Sequence, residues 1–133
     1  MTTINFIRHA ESDHSVKDDR TRPLTAKGSV DCGLVTDYLK NKKIDVVLSS
    51  PYKRAIDTIL EFAERAGLPV HTAEDFRERE NVWVDDFQSF SEKQWMDFSY
   101  KLSDGECLAE VQKRNIAALN DVLARYKDSN IVI

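Results

Sequence analysis

The sequence predicts an α/β protein with three layers, α/β/α, around a central sheet that is mostly parallel. Short apolar runs alternate with longer segments in which apolar residues recur at helical spacing. The apolar runs, at residues 2–7, 44–48, 69–72 and 130–133, are too short for helices and fit strands. Strands that alternate with helices are typical of a parallel sheet with helices on its faces. A length of 133 residues fits a single domain.

The two helices of the first half have recognisable boundaries. Thr25 is the predicted N-cap of the first helix, and the lysines within residues 40–43 suit its C-terminal end because the helix dipole favours cations there. The second helix is predicted to open at residues 49–51, directly after a strand, and to end at Gly67 and Pro69. Each helix therefore follows a strand with little chain between them.

The second half is less regular. Residues 81–90 show no clean period and are predicted to form a loop over the core. Ser91 followed by Gln94 predicts a capping box for a third helix, which would carry Trp95, Phe98 and Leu102. A long fourth helix is predicted from apolar residues that share one side, namely Leu108, Val111, Leu119, Val122 and Tyr126.

Composition and charge limit the classes of function. The formal net charge of -4 argues against a nucleic-acid partner, because general nucleic-acid binders carry a basic face. No apolar run approaches the roughly 20 residues that span a bilayer, and no secretory signal pattern opens the chain, so we expect a cytoplasmic protein without a membrane partner. Cys32 and Cys107 lie far apart and in no metal-ligand spacing, which predicts free thiols.

Three residues with suitable chemistry follow two of the predicted strands. Arg8 and His9 end the first strand, and Arg54 lies in the first turn of the helix after the second strand. The carboxyl ends of parallel strands share one edge of a sheet, where ligands bind. An arginine fork suits phosphate oxygens, and a neutral histidine can act as a nucleophile. Each residue alone fits a structural pair or a solvent-facing position, but the three together favour a phosphate pocket.

Several motifs resemble the histidine phosphatase superfamily, the phosphoglycerate-mutase-like enzymes, in that family's order and over nearly the whole chain. The motifs are Arg8-His9-Ala10-Glu11-Ser12, Leu24-Thr25 with Gly28, Ser49-Ser50-Pro51 with Arg54-Ala55 and Thr58, and Gly105-Glu106. Ala10 stands where the family usually has glycine. The resemblance implies the α/β/α fold described above, together with a phosphatase or phosphotransferase activity that requires no metal and no cofactor.

The resemblance also implies a role for each matching residue. His9 matches the nucleophile that becomes phosphorylated, and Arg8 and Arg54 match the arginines that hold the phosphoryl oxygens. Glu78 matches the proton donor, with Glu80 as an alternative because the charged run at residues 75–80 can be aligned two residues further on. Without the resemblance, that run fits a solvated surface.

Three further residues take supporting roles by the same resemblance. Ser15 falls where relatives often place an asparagine near the phosphate. Glu11 and Glu106 match positions that support the pocket.

One expected part is absent from the sequence. The family's second histidine lies in a turn after a later strand, and residues 130–133 resemble that strand. We therefore expect one histidine-phosphatase-like domain over residues 1–133, truncated at its C-terminus. His14 and His71 are predicted to be surface or structural histidines rather than replacements.

The leading functional hypothesis is a phosphomonoester hydrolase that works through a phosphohistidine at His9 on a small phosphorylated substrate. The alternatives are a non-catalytic module that binds phosphate or a phosphopeptide, a phosphoglycerate-mutase-type phosphotransferase, and a domain whose arginines form only structural ion pairs. A group of aromatic residues either lines the mouth of the crevice or belongs to the core: Phe87, Phe90, Trp95, Phe98 and Tyr100. The oligomeric state stays open.

Overall fold

A computed structural model describes residues 1–133 and contains four strands and four α-helices. The first half holds β1 (Thr3–Asn5), α1 (Ala26–Leu39), β2 (Val46–Ser49), α2 (Lys53–Ala66) and β3 (Val70–Thr72). A short 3-10 helix (Glu74–Phe76) precedes α3 (Phe87–Met96), α4 (Leu108–Arg125) and β4 (Asn130–Val132). All four predicted strands and the predicted order of helices are confirmed.

The four strands form one parallel sheet in the order β1-β4-β2-β3. Ile4 lies opposite Ile131, Val46 also lies opposite Ile131, and Val47 lies opposite Val70. The strand that comes last in sequence therefore sits between β1 and β2. Because all strands run the same way, the segments that leave β1, β2 and β3 emerge at a common edge.

Alternate residues of the sheet pack on opposite faces, as the pleat of a strand requires. Val47 and Val132 join the core that also contains residues of α1 and α2. Leu48 and Ile131 pack on the other face with Val122 of α4. The predicted three-layer α/β/α arrangement is therefore confirmed. No helix is long and apolar enough to cross a membrane.

The predicted start of the third helix is wrong. Helix α3 begins at Phe87, and its N-cap is Asp86, whose carboxylate accepts the N–H of Ser89 at 3.0 Å. Ser91 therefore lies inside the helix, and Phe98 and Leu102 lie beyond its end. Gln94 does not act in a capping box. Its buried side-chain amide donates instead to the carbonyl oxygens of Tyr100 and Glu106.

The start of α1 rests on a close approach between its first turn and the chain after β1. The hydroxyl of Thr25 accepts the N–H of Gly28, which confirms the predicted N-cap. A Cβ at Gly28 would overlap the carbonyl oxygen of Glu11, whereas a Cβ at Gly33 would meet nothing within 4 Å. Only glycine fits at residue 28.

We expect Gly28→Ala to destabilise the fold by about 1–3 kcal/mol, because the backbone near Glu11 must shift to admit the methyl group. Gly33→Ala in the same helix should stabilise it by up to about 1 kcal/mol, since alanine has the higher helix propensity. Urea unfolding of both variants measures the difference. Equal shifts in the two midpoints would contradict this account of Gly28.

Candidate active site

A cavity of about 470 Å³ opens at the carboxyl edge of the sheet. It is lined by residues 6–9 after β1, residues 48–50 at the end of β2, residues 76–79 after β3, and parts of α2 and α4. The cavity thus lies where the parallel strands predict a ligand site. The structure brings Arg8, His9 and Arg54 together on its wall, as the sequence predicted.

The imidazole of His9 has one ring nitrogen engaged by the backbone. Its Nδ1 lies 2.7 Å from the carbonyl oxygen of Ala10, and because a carbonyl only accepts, Nδ1 is the protonated nitrogen. The Nε2 of the neutral ring therefore keeps its lone pair. The N–H of Ala10 donates to the hydroxyl of Thr58 at 3.0 Å, and this buried hydroxyl donates to the carbonyl oxygen of Arg54 at 2.7 Å. Helix α2 thereby fixes the turn that orients His9.

The two predicted phosphate-binding arginines differ in their surroundings. Arg8 is exposed at the cavity, whereas Arg54 is only 3% exposed. The Nη1 of Arg54 donates to the carbonyl oxygen of Asp19 at 2.6 Å and lies 3.1 Å from its carboxylate. The guanidinium also lies 5.0 Å from the ring centre of Tyr52, a cation–π distance. Both polar contacts use Nη1, so Nε and Nη2 remain for a ligand.

Of the two candidate proton donors, the geometry favours Glu78. Glu78 is exposed and lines the cavity, with Oε1 accepting the N–H of Arg79 at 3.1 Å. Glu80 does not line the cavity, and its carboxylate lies 3.1 Å from Nε of Arg77. Arg77 and Arg79 also line the cavity, and the buried Nε of Arg79 has no hydrogen-bond partner. The sequence analysis gave these two arginines no role of their own, since they belong to the charged run at residues 75–80.

Glu106 lies behind the cavity wall rather than on it. Its two carboxylate oxygens accept Nε and Nη2 of Arg114 at 2.8 and 2.9 Å, and one also accepts the N–H of Glu80 at 2.9 Å. These contacts suit the supporting role that the resemblance implies. The hydrogen bonds from Arg114 lower the pKa of Glu106 below its ordinary value of 4.5.

We expect Glu106→Gln to cost about 2 kcal/mol of stability at neutral pH, because it weakens charge-assisted bonds to a largely buried arginine. A lowered pKa means that the ionised carboxylate stabilises the fold above pH 4.5 and that this contribution is lost as the pH falls through the folded-state pKa. The difference in free energy of unfolding between wild type and variant should therefore become smaller below about pH 4. Urea unfolding at pH 3.5 and pH 7 measures this difference. A difference that does not change with pH would contradict the conclusion that ionised Glu106 stabilises the fold.

Ser15 and Glu11 are not brought to the cavity. The hydroxyl of Ser15 donates to the carboxylate of Asp13 at 2.6 Å, and its N–H donates to the same oxygen at 2.9 Å. This local turn is the physical reason that Ser15 lies away from the predicted phosphate site. Glu11 accepts the hydroxyl of Thr25 at 2.8 Å and thus supports the entry to α1.

The aromatic residues from 87 to 100 do not line the cavity. Phe90 packs against Phe87 and Tyr100, with ring centres 6.3 and 5.9 Å away, in a cluster around α3. The apolar part of the cavity wall instead includes Phe6, Phe76 and residues of α2 and α4. Sequence analysis missed the residues of α4 because their helical spacing is also that of ordinary core positions, and it missed Phe6 and Phe76 because no pattern marks them.

The remaining histidines and the cysteines lie outside the cavity. His14 and His71 are both exposed, as the sequence predicted. Cys32 and Cys107 are free and buried. No group of three or more histidine, cysteine, aspartate and glutamate side chains is placed to hold a metal ion.

Two proteins of related sequence are named phosphatases. The uncharacterised phosphatase PhoE of Bacillus subtilis is 31% identical over 60% of this chain, a match that spans 44% of PhoE. Phosphoserine phosphatase 1 of Hydrogenobacter thermophilus is 27% identical, with 100% of this chain and 70% of the relative covered. The matched segment is therefore less than half of PhoE.

Solved structures share the fold. The mycobacterial glucosyl-3-phosphoglycerate phosphatase in complex with VO3 superimposes with a TM-score of 0.80 at 21% identity, covering 96% of this chain and 72% of that one. The family model of the histidine phosphatase superfamily (branch 1) matches residues 4–133. With this match over nearly the full length, the chain belongs to the histidine phosphatase superfamily.

Proposed function

We propose that the protein hydrolyses phosphomonoesters through a phosphohistidine formed on His9, without a metal ion or cofactor. The observation that carries the proposal is the single cavity that holds His9, its Nδ1 engaged by Ala10, beside Arg8 and Arg54. A nucleophile and two guanidinium groups on one wall are the parts that phosphoryl transfer needs, since the reaction depends on positioning and on neutralising spread negative charge.

In the first step, Nε2 of His9 attacks phosphorus while the bond from phosphorus to the ester oxygen breaks. Arg8 and Arg54 bind the phosphoryl oxygens, whose negative charge they offset in the transition state. A protonated Glu78 carboxyl gives its proton to the departing oxygen, so that an alcohol rather than an alkoxide leaves. The products of this step are the alcohol and a phosphohistidine.

In the second step, a water molecule attacks the phosphohistidine. Glu78, now a carboxylate, accepts a proton from that water as its oxygen bonds to phosphorus. The bond between Nε2 and phosphorus breaks, its electron pair returns to the imidazole, and orthophosphate leaves. The carbonyl oxygen of Ala10 holds the Nδ1 proton throughout, which keeps the ring in the tautomer that each cycle needs.

The relatives support hydrolysis over phosphoryl transfer to a second substrate, because all three carry phosphatase names. Two of those names specify small phosphorylated molecules, phosphoserine and glucosyl-3-phosphoglycerate. A cavity of about 470 Å³ suits a substrate of that size. We therefore propose a small phosphorylated metabolite as the substrate class.

The test is hydrolysis of p-nitrophenyl phosphate, with and without EDTA, and its inhibition by vanadate. We expect turnover that EDTA does not reduce and competitive inhibition by vanadate, which resembles the transferring phosphoryl group. Vanadate binding without any turnover would contradict the enzyme and support the non-catalytic phosphate-binding alternative. Turnover that requires an added metal would contradict the mechanism.

A further inference from the structure

A largely buried arginine on α4, Arg114, donates hydrogen bonds to the loop at residues 75–80, which carries the proposed proton donor Glu78. The side chain of Arg114 is 12% exposed. Its Nη1 donates to the carbonyl oxygens of Asp75 and Arg77 at 2.7 and 2.9 Å, and its Nη2 lies 3.3 Å from the carbonyl oxygen of Glu78. One guanidinium thus ties three carbonyls, at and just before the proposed proton donor, to a long helix.

Glu106 holds the same loop from the other side of Glu78. It orients Arg114 through two parallel bonds of 2.8 and 2.9 Å, the bidentate geometry that fixes a guanidinium plane. It also accepts the N–H of Glu80, while its own N–H donates to the carbonyl oxygen of Glu80 at 2.9 Å. The backbone is therefore held both before and after Glu78.

The Glu78 side chain, in contrast, is left uncommitted by this network. It is exposed at the cavity, and its contact within the protein is with the N–H of Arg79. Residues 77–86 contain no helix or strand, so no ladder of backbone bonds fixes the position of this carboxyl. A loop of this kind is held only by the contacts that other elements make with it.

We propose that Arg114, oriented by Glu106, is the positioning residue that holds Glu78 at the distance from which it protonates the leaving group. The inference rests on the proposed function, in which Glu78 is the proton donor. Proton transfer needs heavy atoms about 2.6–3.2 Å apart. A displacement of about 1 Å can cost on the order of 10²-fold in rate.

Two esters whose leaving groups differ in their need for a proton can show whether Arg114 positions Glu78 or only supports the fold. Loss of positioning should slow only the ester whose leaving group needs the proton. p-Nitrophenolate leaves without protonation, whereas the alkoxide of glycerol 2-phosphate does not. We compare kcat/KM for the two esters, because this constant reports the steps up to departure of the alcohol. The variants are Arg114→Gln, Arg114→Lys and Glu78→Gln. Lys113→Gln, at the exposed neighbouring position of the same helix, is the control.

We expect both Arg114 variants to lower kcat/KM for the alkyl ester about 10²-fold and for the aryl ester only a few-fold. Glu78→Gln should show the same selectivity, and adding Arg114→Lys to it should cause no further loss for the alkyl ester, because both act on one proton transfer. Lys113→Gln should leave both constants unchanged. Arg114→Lys keeps the positive charge at this largely buried position, so it provides the test if Arg114→Gln does not fold.

The outcomes distinguish this inference from the function on which it rests. If Glu78→Gln selects between the esters but Arg114→Lys lowers both equally or neither, Arg114 is not a positioning residue and the proposed function stands. Losses that multiply in the double variant also overturn the inference. If Glu78→Gln shows no selectivity, or if the wild-type chain hydrolyses neither ester, the proposed role of Glu78 and the inference both fall.

Discussion

Replacement of His9 by alanine should lower kcat/KM for p-nitrophenyl phosphate by about 10⁴-fold or more, while the fold is retained. The imidazole is half-buried and its hydrogen bond is local, to the neighbouring carbonyl of Ala10, so its removal breaks no contact between distant elements. Rapid quenching with a ³²P-labelled ester should trap acid-labile label on the wild-type protein and none on the variant.

The control is His71→Ala, which removes an exposed histidine of β3 that does not line the cavity. Its activity and its labelling should match those of the wild type. Labelling of His9→Ala at the wild-type level would place the covalent intermediate elsewhere and contradict the mechanism. Circular dichroism of both variants checks that neither result comes from unfolding.

Replacement of Arg54 by lysine should lower kcat/KM about 10³-fold, the lower end of the range for an arginine that stabilises phosphoryl transfer. A lysine keeps the charge but offers a single nitrogen, which cannot contact Asp19 and bind phosphoryl oxygens with separate nitrogens as a guanidinium does. The increase in melting temperature that orthophosphate produces should shrink as well, since a ligand stabilises only the state that binds it.

Arg65→Lys is the matched control, because Arg65 lies near the end of the same helix and is exposed. This variant should change neither kcat/KM nor the increase in melting temperature that orthophosphate produces. An Arg54→Lys variant with wild-type kcat/KM would show that the proposed pocket does not use this guanidinium. The buried position of Arg54 also predicts a modest loss of stability, about 1–2 kcal/mol, from the weakened contacts with Asp19.

The parts of the fold that the sequence predicted correctly are those with short-range signals. The N-cap at Thr25 and the left-handed Gly67 at the end of α2 both act within one helical turn. The predicted start of α3 is wrong because Ser91 and Gln94 fit the local pattern of a capping box, whereas the structure caps the helix with Asp86, five residues earlier. The aromatic cluster around Phe90 and the buried Gln94 settle the choice, and these contacts are tertiary.

The convergence of Arg8, His9 and Arg54 on one cavity could also be predicted, because the geometry of a parallel sheet brings strand ends together. The contacts of Arg114 with the loop that carries Glu78 could not be predicted. Its partners at residues 75–78 lie 36–39 positions away along the chain, and no periodic pattern marks them. The position of Ser15 away from the cavity has a local cause, because its hydroxyl donates to the carboxylate of Asp13, two residues earlier.

The strand order affects how the protein folds during its synthesis on the ribosome. β1, which precedes His9, pairs only with β4, so its hydrogen-bonding partner is not synthesised until residue 130 has been added. Until then the segment is an unpaired edge that a chaperone or another nascent chain can bind. The pairing of β1 with β4 closes the long loop between residues 5 and 130, and forming contacts so far apart in sequence is slow. The proposed nucleophile, His9, is thus synthesised well before the strand that precedes it can pair in the sheet.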